Sequence, residues 1–256
     1  MSDEPPPAVS RPAGEAARSA RTERGSSPRE RDAHPFRRGR QGRYLGVLAV
    51  VAFVLAVILA FVHGPGGVAG IPPGQRLAPF AVPLATGSMT GEANIATHAH
   101  EGSAGNVPAC SVRQSGVLNV CALYERGPVV LALFVAESSC PQVLSQMQAL
   151  APQFPGVQFA GVAIEGSAGE FSSVRARLRK LVRAQQLTLP VGIDADGVLA
   201  ALYKVISCPQ VSFAYPGGIV QSKALLVAPS TAGLRARVTE LVAASKARGW
   251  RQPGTR

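Results

Sequence analysis

The chain is 256 residues long and carries a formal net charge of +11, with 46% hydrophobic and 5% aromatic residues. This length accommodates one domain with a sizeable core together with additional segments. The basic excess fits an anionic membrane surface or acidic partners. No basic patch interleaved with aromatic residues is found, which argues against nucleic acid as a partner.

Residues 1–43 are rich in Arg, Pro, Gly, Ser and Ala and contain almost no large apolar side chains. Ten arginines against six acidic residues give this segment a net charge of +4. Such a composition cannot bury enough apolar surface to offset the entropy lost on ordering. We therefore predict a disordered basic tail on the cytoplasmic side.

The segment 44–62 is a stretch of 19 uncharged, mostly apolar residues. As a helix it would span about 28 Å, close to the hydrocarbon thickness of a bilayer. Four arginines precede it within 37–43, and no Lys or Arg follows before Arg76. The positive-inside rule predicts a single-pass transmembrane helix in the cell membrane, with a cytoplasmic N-terminus and an extracytoplasmic C-terminal domain. A cleaved signal peptide is the alternative, but the charged region is long for one and no A-x-A-like site follows within 63–70.

The remainder is predicted to consist of a Gly/Pro linker at 63–75, one extracytoplasmic domain at 76–249 and a disordered tail at 250–256. The 213 residues after position 43 contain 16 basic and 9 acidic side chains, a net charge of +7. Disulfide bonds are permitted outside the cytoplasm, and an even number of cysteines fits pairing. All four follow the anchor: Cys110, Cys121, Cys140 and Cys208.

The first predicted elements of this domain are a short strand or extended arm at 78–87, a polar loop at 88–107 and a short strand at 117–120. The apolar run 128–135 is typical of a strand buried on both faces. Apolar residues then recur at helical spacing from Val143 to Phe154. A second buried strand at 157–164 completes a parallel β-α-β unit.

The second half is predicted to add a helix at 174–182, a short strand at 189–193 and a short helix at 196–203. An antiparallel hairpin follows, with limbs at 209–214 and 219–224 joined by the turn sequence Tyr215-Pro216-Gly217-Gly218, and the closing helix lies at 234–242. Together these elements predict an α/β fold with a mixed central sheet covered by helices on both faces.

Cys140 is the candidate nucleophile because it lies where the long buried strand passes into a helix. The thiolate is the reactive form of cysteine, and one pKa unit corresponds to about 1.4 kcal/mol. An exposed helix dipole supplies only about 0.3–1 kcal/mol, so direct N–H donation to the sulfur would have to provide most of the activation. The alternative is an inert, small apolar residue or half of a static disulfide.

Two stretches resemble the thioredoxin-like superfamily, and in particular the membrane-anchored, extracytoplasmic thiol–disulfide oxidoreductases and redoxins of bacteria. The resemblance extends from about residue 76 to 244. The matching residues are Phe134, Ala136, Cys140, Pro141, Met147, Ala149 and Leu150, then Tyr203, Val205, Cys208, Pro209, Phe213 and Gly217. The resemblance implies a thioredoxin-like fold, a cis Cys208–Pro209 bond beside the active-site sulfur and a role for Pro209 in shaping the substrate groove.

The chain departs from the family's C-x-x-C motif, because Val143 replaces its second cysteine and Ser139 and Gln142 replace two neighbouring residues. Val143 begins the apolar helical stripe, so we expect it to fill the space of the missing sulfur. A mixed disulfide at Cys140 then needs another resolving group. The resemblance makes Cys208 the candidate resolving thiol.

Cys110 and Cys121 enclose a short loop before the long strand, and we predict a structural disulfide between them. Closing such a loop would contribute about 2–3 kcal/mol in the chain-entropy model. The alternative is that one of them passes electrons to Cys140, and other connectivities remain open.

The expected function is thiol–disulfide exchange with protein or small-molecule thiols, of the kind found in antioxidant redoxins. A non-catalytic binding module is the alternative class. A peroxiredoxin-like peroxidase is a further alternative, although Leu133 and Glu137 stand where its P-x-x-x-T-x-x-C motif has Pro and Thr. We predict no cofactor and no metal, because the single H-x-H at His98 and His100 lies in a Gly-rich loop. The substrate, the electron donor and the oligomeric state are left open.

Overall fold

The structure is a computed structural model that describes residues 50–53, 69–102, 104–136, 139–165, 171–227 and 229–253. The chain divides into two units, Met1–Ala60 and Phe61–Arg256. The predicted tail 1–43 lies outside the described residues, and so does the predicted membrane segment 44–62 except for the helical residues 50–53. Within the described residues, no helix combines the length and the apolar character that a membrane crossing requires.

The second unit contains six strands and five α-helices among its described residues. The strands are β1 (Ala81–Pro83), β2 (Val117–Asn119), β3 (Val129–Phe134), β4 (Gln158–Ile164), β5 (Val191–Asp194) and β6 (Gln210–Ala214). The helices are α1 (Val120–Arg126), α2 (Gln142–Leu150), α3 (Phe171–Ala184), α4 (Val198–Leu202) and α5 (Thr231–Ala247).

Four of these strands form a mixed sheet in the order β5-β4-β3-β6. β3 pairs in parallel with β4, which pairs in parallel with β5, whereas β6 runs antiparallel to β3. β1 and β2 form a separate antiparallel pair. The parallel β3-α2-β4 unit predicted from the two apolar runs is confirmed.

The strand β3 is buried at every position, because helices cover both faces of the sheet. Its side chains alternate between two apolar clusters, with Val130, Ala132 and Phe134 in one and the intervening residues in the other. Residues of α2, α3 and α5 belong to the first cluster, and residues of α1 and α4 to the second. The predicted mixed α/β sheet with helices on both faces is therefore confirmed.

The helix α1 was not expected from the sequence. Asn119 caps it, since its side-chain oxygen accepts hydrogen bonds from the N–H groups of Cys121 at 2.9 Å and Ala122 at 3.3 Å. Leu123 and Tyr124 are its largest buried side chains. With only seven residues, the helix is too short for its apolar spacing to stand out from the neighbouring strand.

The predicted hairpin is only partly regular. Its first limb is β6, but the second limb meets β6 through isolated bridges, Ala214 with Val220 and Val211 with Leu225. The N–H of Gly218 donates to the carbonyl of Tyr215 at 2.9 Å, which closes the turn predicted there. The first limb of the hairpin is therefore the part that pairs continuously with β3.

Candidate functional site

Cys140 lies in the turn between the end of β3 and the start of α2. The residue is 9% exposed and belongs to the apolar cluster that includes Val143 and Met147. Its position is the strand-to-helix junction expected from the sequence. Only a small part of the residue is open to an approaching group.

Cys208 comes two residues before β6 in the chain and lies beside the end of β3. The antiparallel register pairs Leu133 with Gln210, so the chain enters β6 where β3 ends. Cys140 and Cys208 are joined in a disulfide, with 5.6 Å between their Cα atoms and a sequence separation of 68. The fold thus brings the two cysteines singled out for catalysis into one pair.

The backbone N–H of Val135 donates a hydrogen bond to the sulfur of Cys208 at 3.1 Å. Val135 follows directly after β3, so this N–H is outside the sheet ladder and points to the site. The Cys208–Pro209 peptide bond is cis, as the resemblance implies. Pro209 therefore lies between the paired sulfur and β6.

The N–H groups at the start of α2 have partners other than the sulfur of Cys140. Those of Gln142 and Val143 donate to the carbonyls of Ser139 at 3.1 Å and Cys140 at 3.4 Å, and Pro141 has no N–H. We expected this helix start to supply the activating hydrogen bonds. The sulfur of Cys208 accepts from the N–H of Val135, a donor that the sequence did not indicate.

Val143 is fully buried in the first turn of α2. It packs in the same apolar cluster as Cys140, which agrees with the expectation that it fills core space. Val143 therefore contributes packing and supplies no thiol.

Cys110 and Cys121 form the second disulfide, with 5.3 Å between their Cα atoms. Cys110 Sγ also lies 3.6 Å from the hydroxyl of Tyr124, whose pKa is raised mainly by burial. Cys121 belongs to the apolar cluster on the opposite face of the sheet from Cys140. The sheet separates the two disulfides, so the arrangement offers no direct exchange between them.

Two exposed apolar side chains flank the Cys140–Cys208 pair. Val135 is 42% exposed and precedes the turn that carries Cys140, and Ile206 is 68% exposed two residues before Cys208. Large apolar side chains at this exposure provide contact area for a partner that reaches the sulfur atoms.

Asp194 is a fully buried carboxyl group at the end of β5 that the sequence did not single out. Burial is the main cause that raises the pKa of Asp194 to about 8, and the neighbouring acid Asp196 adds to the rise. Its Oδ2 accepts from the N–H of Leu199 at 2.9 Å. The carboxyl ends of β3, β4 and β5 meet at one sheet edge, so this protonated acid lies two strands from the one that leads to Cys140.

The His98 and His100 loop contains an exposed contact between His98 and Glu101. His98 Nδ1 lies 2.9 Å from Glu101 Oε1, and the Glu101 carboxylate also accepts from the N–H groups of Thr97 and His98. These hydrogen bonds lower the pKa of Glu101. Among the described residues, no group of three or more His, Cys, Asp or Glu side chains could hold a metal ion. Glu137 lies outside the described residues.

No family model matches the chain, and no curated protein matches it. Solved structures give weak likenesses. A secreted Mycobacterium tuberculosis disulfide oxidoreductase homologous to E. coli DsbE is 22% identical, with a TM-score of 0.41 over 49% of this chain and 89% of that one. Peroxidoxin BcpB from the same organism is 16% identical, with a TM-score of 0.46 over 69% and 97%. StoA from Bacillus subtilis is 18% identical, with a TM-score of 0.40 over 48% and 88%. Likenesses at this level assign neither a family nor an activity.

Proposed function

We propose that this chain is a membrane-anchored, extracytoplasmic thiol–disulfide oxidoreductase of the thioredoxin-like type. The observation that carries the proposal is the Cys140–Cys208 pair, which joins a helix start to the segment entering β6 across 68 residues of chain. The pair is flanked by exposed apolar side chains and has an N–H donor on one sulfur. Cys140 is the nucleophile and the residue that carries the substrate, and Cys208 is the resolving thiol.

The exchange begins from the oxidised pair. A substrate thiolate attacks Cys140 Sγ, a new S–S bond forms, and the bond to Cys208 breaks with its electron pair passing to the Cys208 sulfur. The N–H of Val135 then donates to the developing Cys208 thiolate. A charge-assisted hydrogen bond of this kind stabilises the leaving group by about 1.5–3 kcal/mol.

A second substrate thiol completes the exchange and leaves the protein reduced. Its thiolate attacks the substrate sulfur of the mixed disulfide, so a substrate disulfide forms and Cys140 leaves as a thiolate. Two electrons pass from the substrate to the protein, and the two thiol protons are released to solvent. The same steps in reverse reduce a substrate disulfide, with Cys208 resolving the mixed disulfide on Cys140.

The anchor and the location are parts of the same proposal, supported by the apolar segment 44–62 and the arginines before it. An extracytoplasmic location supports stable pairing of the cysteines, since disulfides persist in oxidising compartments. The substrates are protein or small-molecule thiols and disulfides.

The proposal is tested with the full-length chain purified in mild detergent. Wild type should reduce the disulfides of insulin when dithiothreitol is supplied as the reductant, or oxidise the dithiols of reduced insulin. Cys140→Ser should abolish exchange, and Cys208→Ser should accumulate the mixed disulfide on Cys140, seen by mass mapping. The Cys110→Ser/Cys121→Ser double variant is the matched control and should retain exchange. If wild type shows no exchange above background, both disulfides have only a structural role and the chain is a non-catalytic binding module.

A further inference from the structure

A cavity of about 830 Å³ is lined by the start of α3, residues 90–92 and the residues that follow β5, and neither Cys140 nor Cys208 is among its lining residues. This volume is within the range of about 300–1,000 Å³ that small-molecule sites occupy. Phe171, Ala176 and Ala195 give its wall an apolar part, and Arg175 and Arg179 give it two cations.

Arg175 is the residue of the cavity that indicates a ligand, because it is a buried cation with unpaired hydrogen-bond donors. It is only 8% exposed, and it lies with its guanidinium carbon 4.4 Å from the centre of the Phe171 ring. Nη1 donates to the carbonyl of Ser88 at 3.3 Å, but Nε and Nη2 are buried without a hydrogen-bond partner among the described residues. Leaving these two nitrogens of a buried cation unpaired is costly, so a ligand that accepts hydrogen bonds from them would be favoured.

The unpaired atoms identify the kind of partner. Nε and Nη2 form one edge of the planar guanidinium, and two parallel N–H groups on such an edge match the two oxygens of a carboxylate or phosphate. Burial, followed by the nearby charge of Arg179, lowers the pKa of Arg175. An arginine nevertheless stays charged in proteins, so an anion is the partner that compensates it.

Arg179 and the helix start reinforce the same preference. Arg179 donates to the carbonyls of Ala85 at 3.0 Å and Gly87 at 2.7 Å, which holds this second cation in place against the cavity. Phe171 and Ser172 belong to the first turn of α3, a helix of 14 residues, and the N-terminal end of a helix favours negative charge.

Two carboxylates, those of Glu92 and Asp196, line the same cavity and limit the charge it accepts. A polyanion would be repelled by them, whereas one negative group can sit on Arg175 at little cost. We propose that the cavity binds a small organic monocarboxylate, whose two oxygens accept from Nε and Nη2 of Arg175 and whose apolar body packs on Phe171 and Ala195. This proposal does not depend on the redox function.

The test uses the full-length chain and 4-fluorobenzoate as the probe, with binding followed by ¹⁹F NMR. Wild type should bind the probe saturably at one site. Arg175→Gln removes the guanidinium edge and should weaken binding by at least about tenfold. Arg175→Lys keeps the positive charge but lacks the two parallel N–H groups of the guanidinium edge, so it should also weaken binding of the probe. Arg183→Gln is the matched control, since it removes the same charge from an exposed position of α3 and should leave binding within about twofold.

Three results would overturn the proposal. One is the absence of saturable binding to wild type. Another is an equal loss in Arg175→Gln and Arg183→Gln, which would mean general attraction to a basic helix. The third is preference for inorganic phosphate over the probe, or binding seen only with phosphatidylglycerol vesicles. Melting temperatures of the variants separate loss of the site from loss of the fold, and the wild-type titrations decide the matter if neither Arg175 variant folds.

Discussion

The backbone nitrogen of Val135 lies 3.1 Å from the sulfur of Cys208, so the residue that follows β3 contacts the cysteine two positions before β6. Because β3 and β6 are adjacent in the sheet, this contact is set by the register of the two strands. This donor stabilises negative charge on Cys208, which fits its proposed role as the sulfur that leaves when Cys140 is attacked.

Replacing Val135 with proline removes this N–H and should raise the pKa of Cys208. A hydrogen bond to a charged group contributes about 1.5–3 kcal/mol, which corresponds to a rise of about one to two pKa units. The measurement is thiolate absorbance against pH in the Cys140→Ser background, where Cys208 is unpaired. Val135 lies just outside the strand ladder, so proline removes no sheet hydrogen bond there.

Val135→Ala is the control for this variant, because it shortens the same exposed side chain and keeps the N–H. Its Cys208 should titrate as in the parent. Equal shifts in the proline and alanine variants would show that the side chain, and not the N–H, sets the pKa.

Asp194 should make the stability of the protein fall as pH rises from about 4 to 8. Its folded pKa is about 8, against about 3.9 for an unfolded aspartate. In this window the folded state holds a proton that the unfolded state has lost, so the free energy of unfolding decreases by up to about 1.4 kcal/mol per pH unit. The Asp194 contribution is complete below about pH 4 and lost above pH 8.

Urea denaturation across this pH range, with wild type and Asp194→Asn compared, isolates the effect. The asparagine variant should show a flatter dependence, because it is neutral at every pH. Burial is the main cause of the raised pKa of Asp194, and Asp196→Asn removes the neighbouring acid that adds to it, so the stability of this variant should level off at a somewhat lower pH than that of wild type. Parallel curves for wild type and Asp194→Asn would refute the assignment.

The Cys110–Cys121 disulfide should matter for stability more than for exchange. It closes a short loop, with a sequence separation of 11, and its loss should lower the free energy of unfolding by about 2–3 kcal/mol. The Cys110→Ser/Cys121→Ser variant tests this by denaturant titration. Its exchange rate should stay near that of wild type, since the sheet lies between this pair and Cys140. A large drop in rate without a loss of stability would favour the electron-shuttle alternative.

Much of the sheet could be predicted from the sequence because its central strands are uninterrupted apolar runs. The runs at 128–135 and 157–164 became β3 and β4, each within one residue of the expected bounds. The helix α1 was missed because its seven residues depend on a cap from Asn119, which only the folded turn positions.

The site was less predictable than the sheet. The association of Cys140 with Cys208 came from a family resemblance, since their separation of 68 residues carries no local signal. The Val135 donor, the raised pKa of Asp194 and the unpaired edge of Arg175 all depend on tertiary neighbours. A sequence pattern records which side chains are apolar or charged, but not which of them burial leaves without partners.

Val143 provides the last prediction, because it occupies the position where the resembling family has its second cysteine. It is fully buried beside Cys140, so Val143→Ala should leave a small cavity and lower the free energy of unfolding by about 1–3 kcal/mol. Gln142→Ala, at the exposed neighbouring position, should change it by less than about 0.5 kcal/mol. Both variants should keep the Cys140–Cys208 disulfide on mass mapping, because neither side chain takes part in the exchange. Loss of that pairing in Val143→Ala at unchanged stability would mean that Val143 positions the Cys140 sulfur, and the packing role assigned to it would then be wrong.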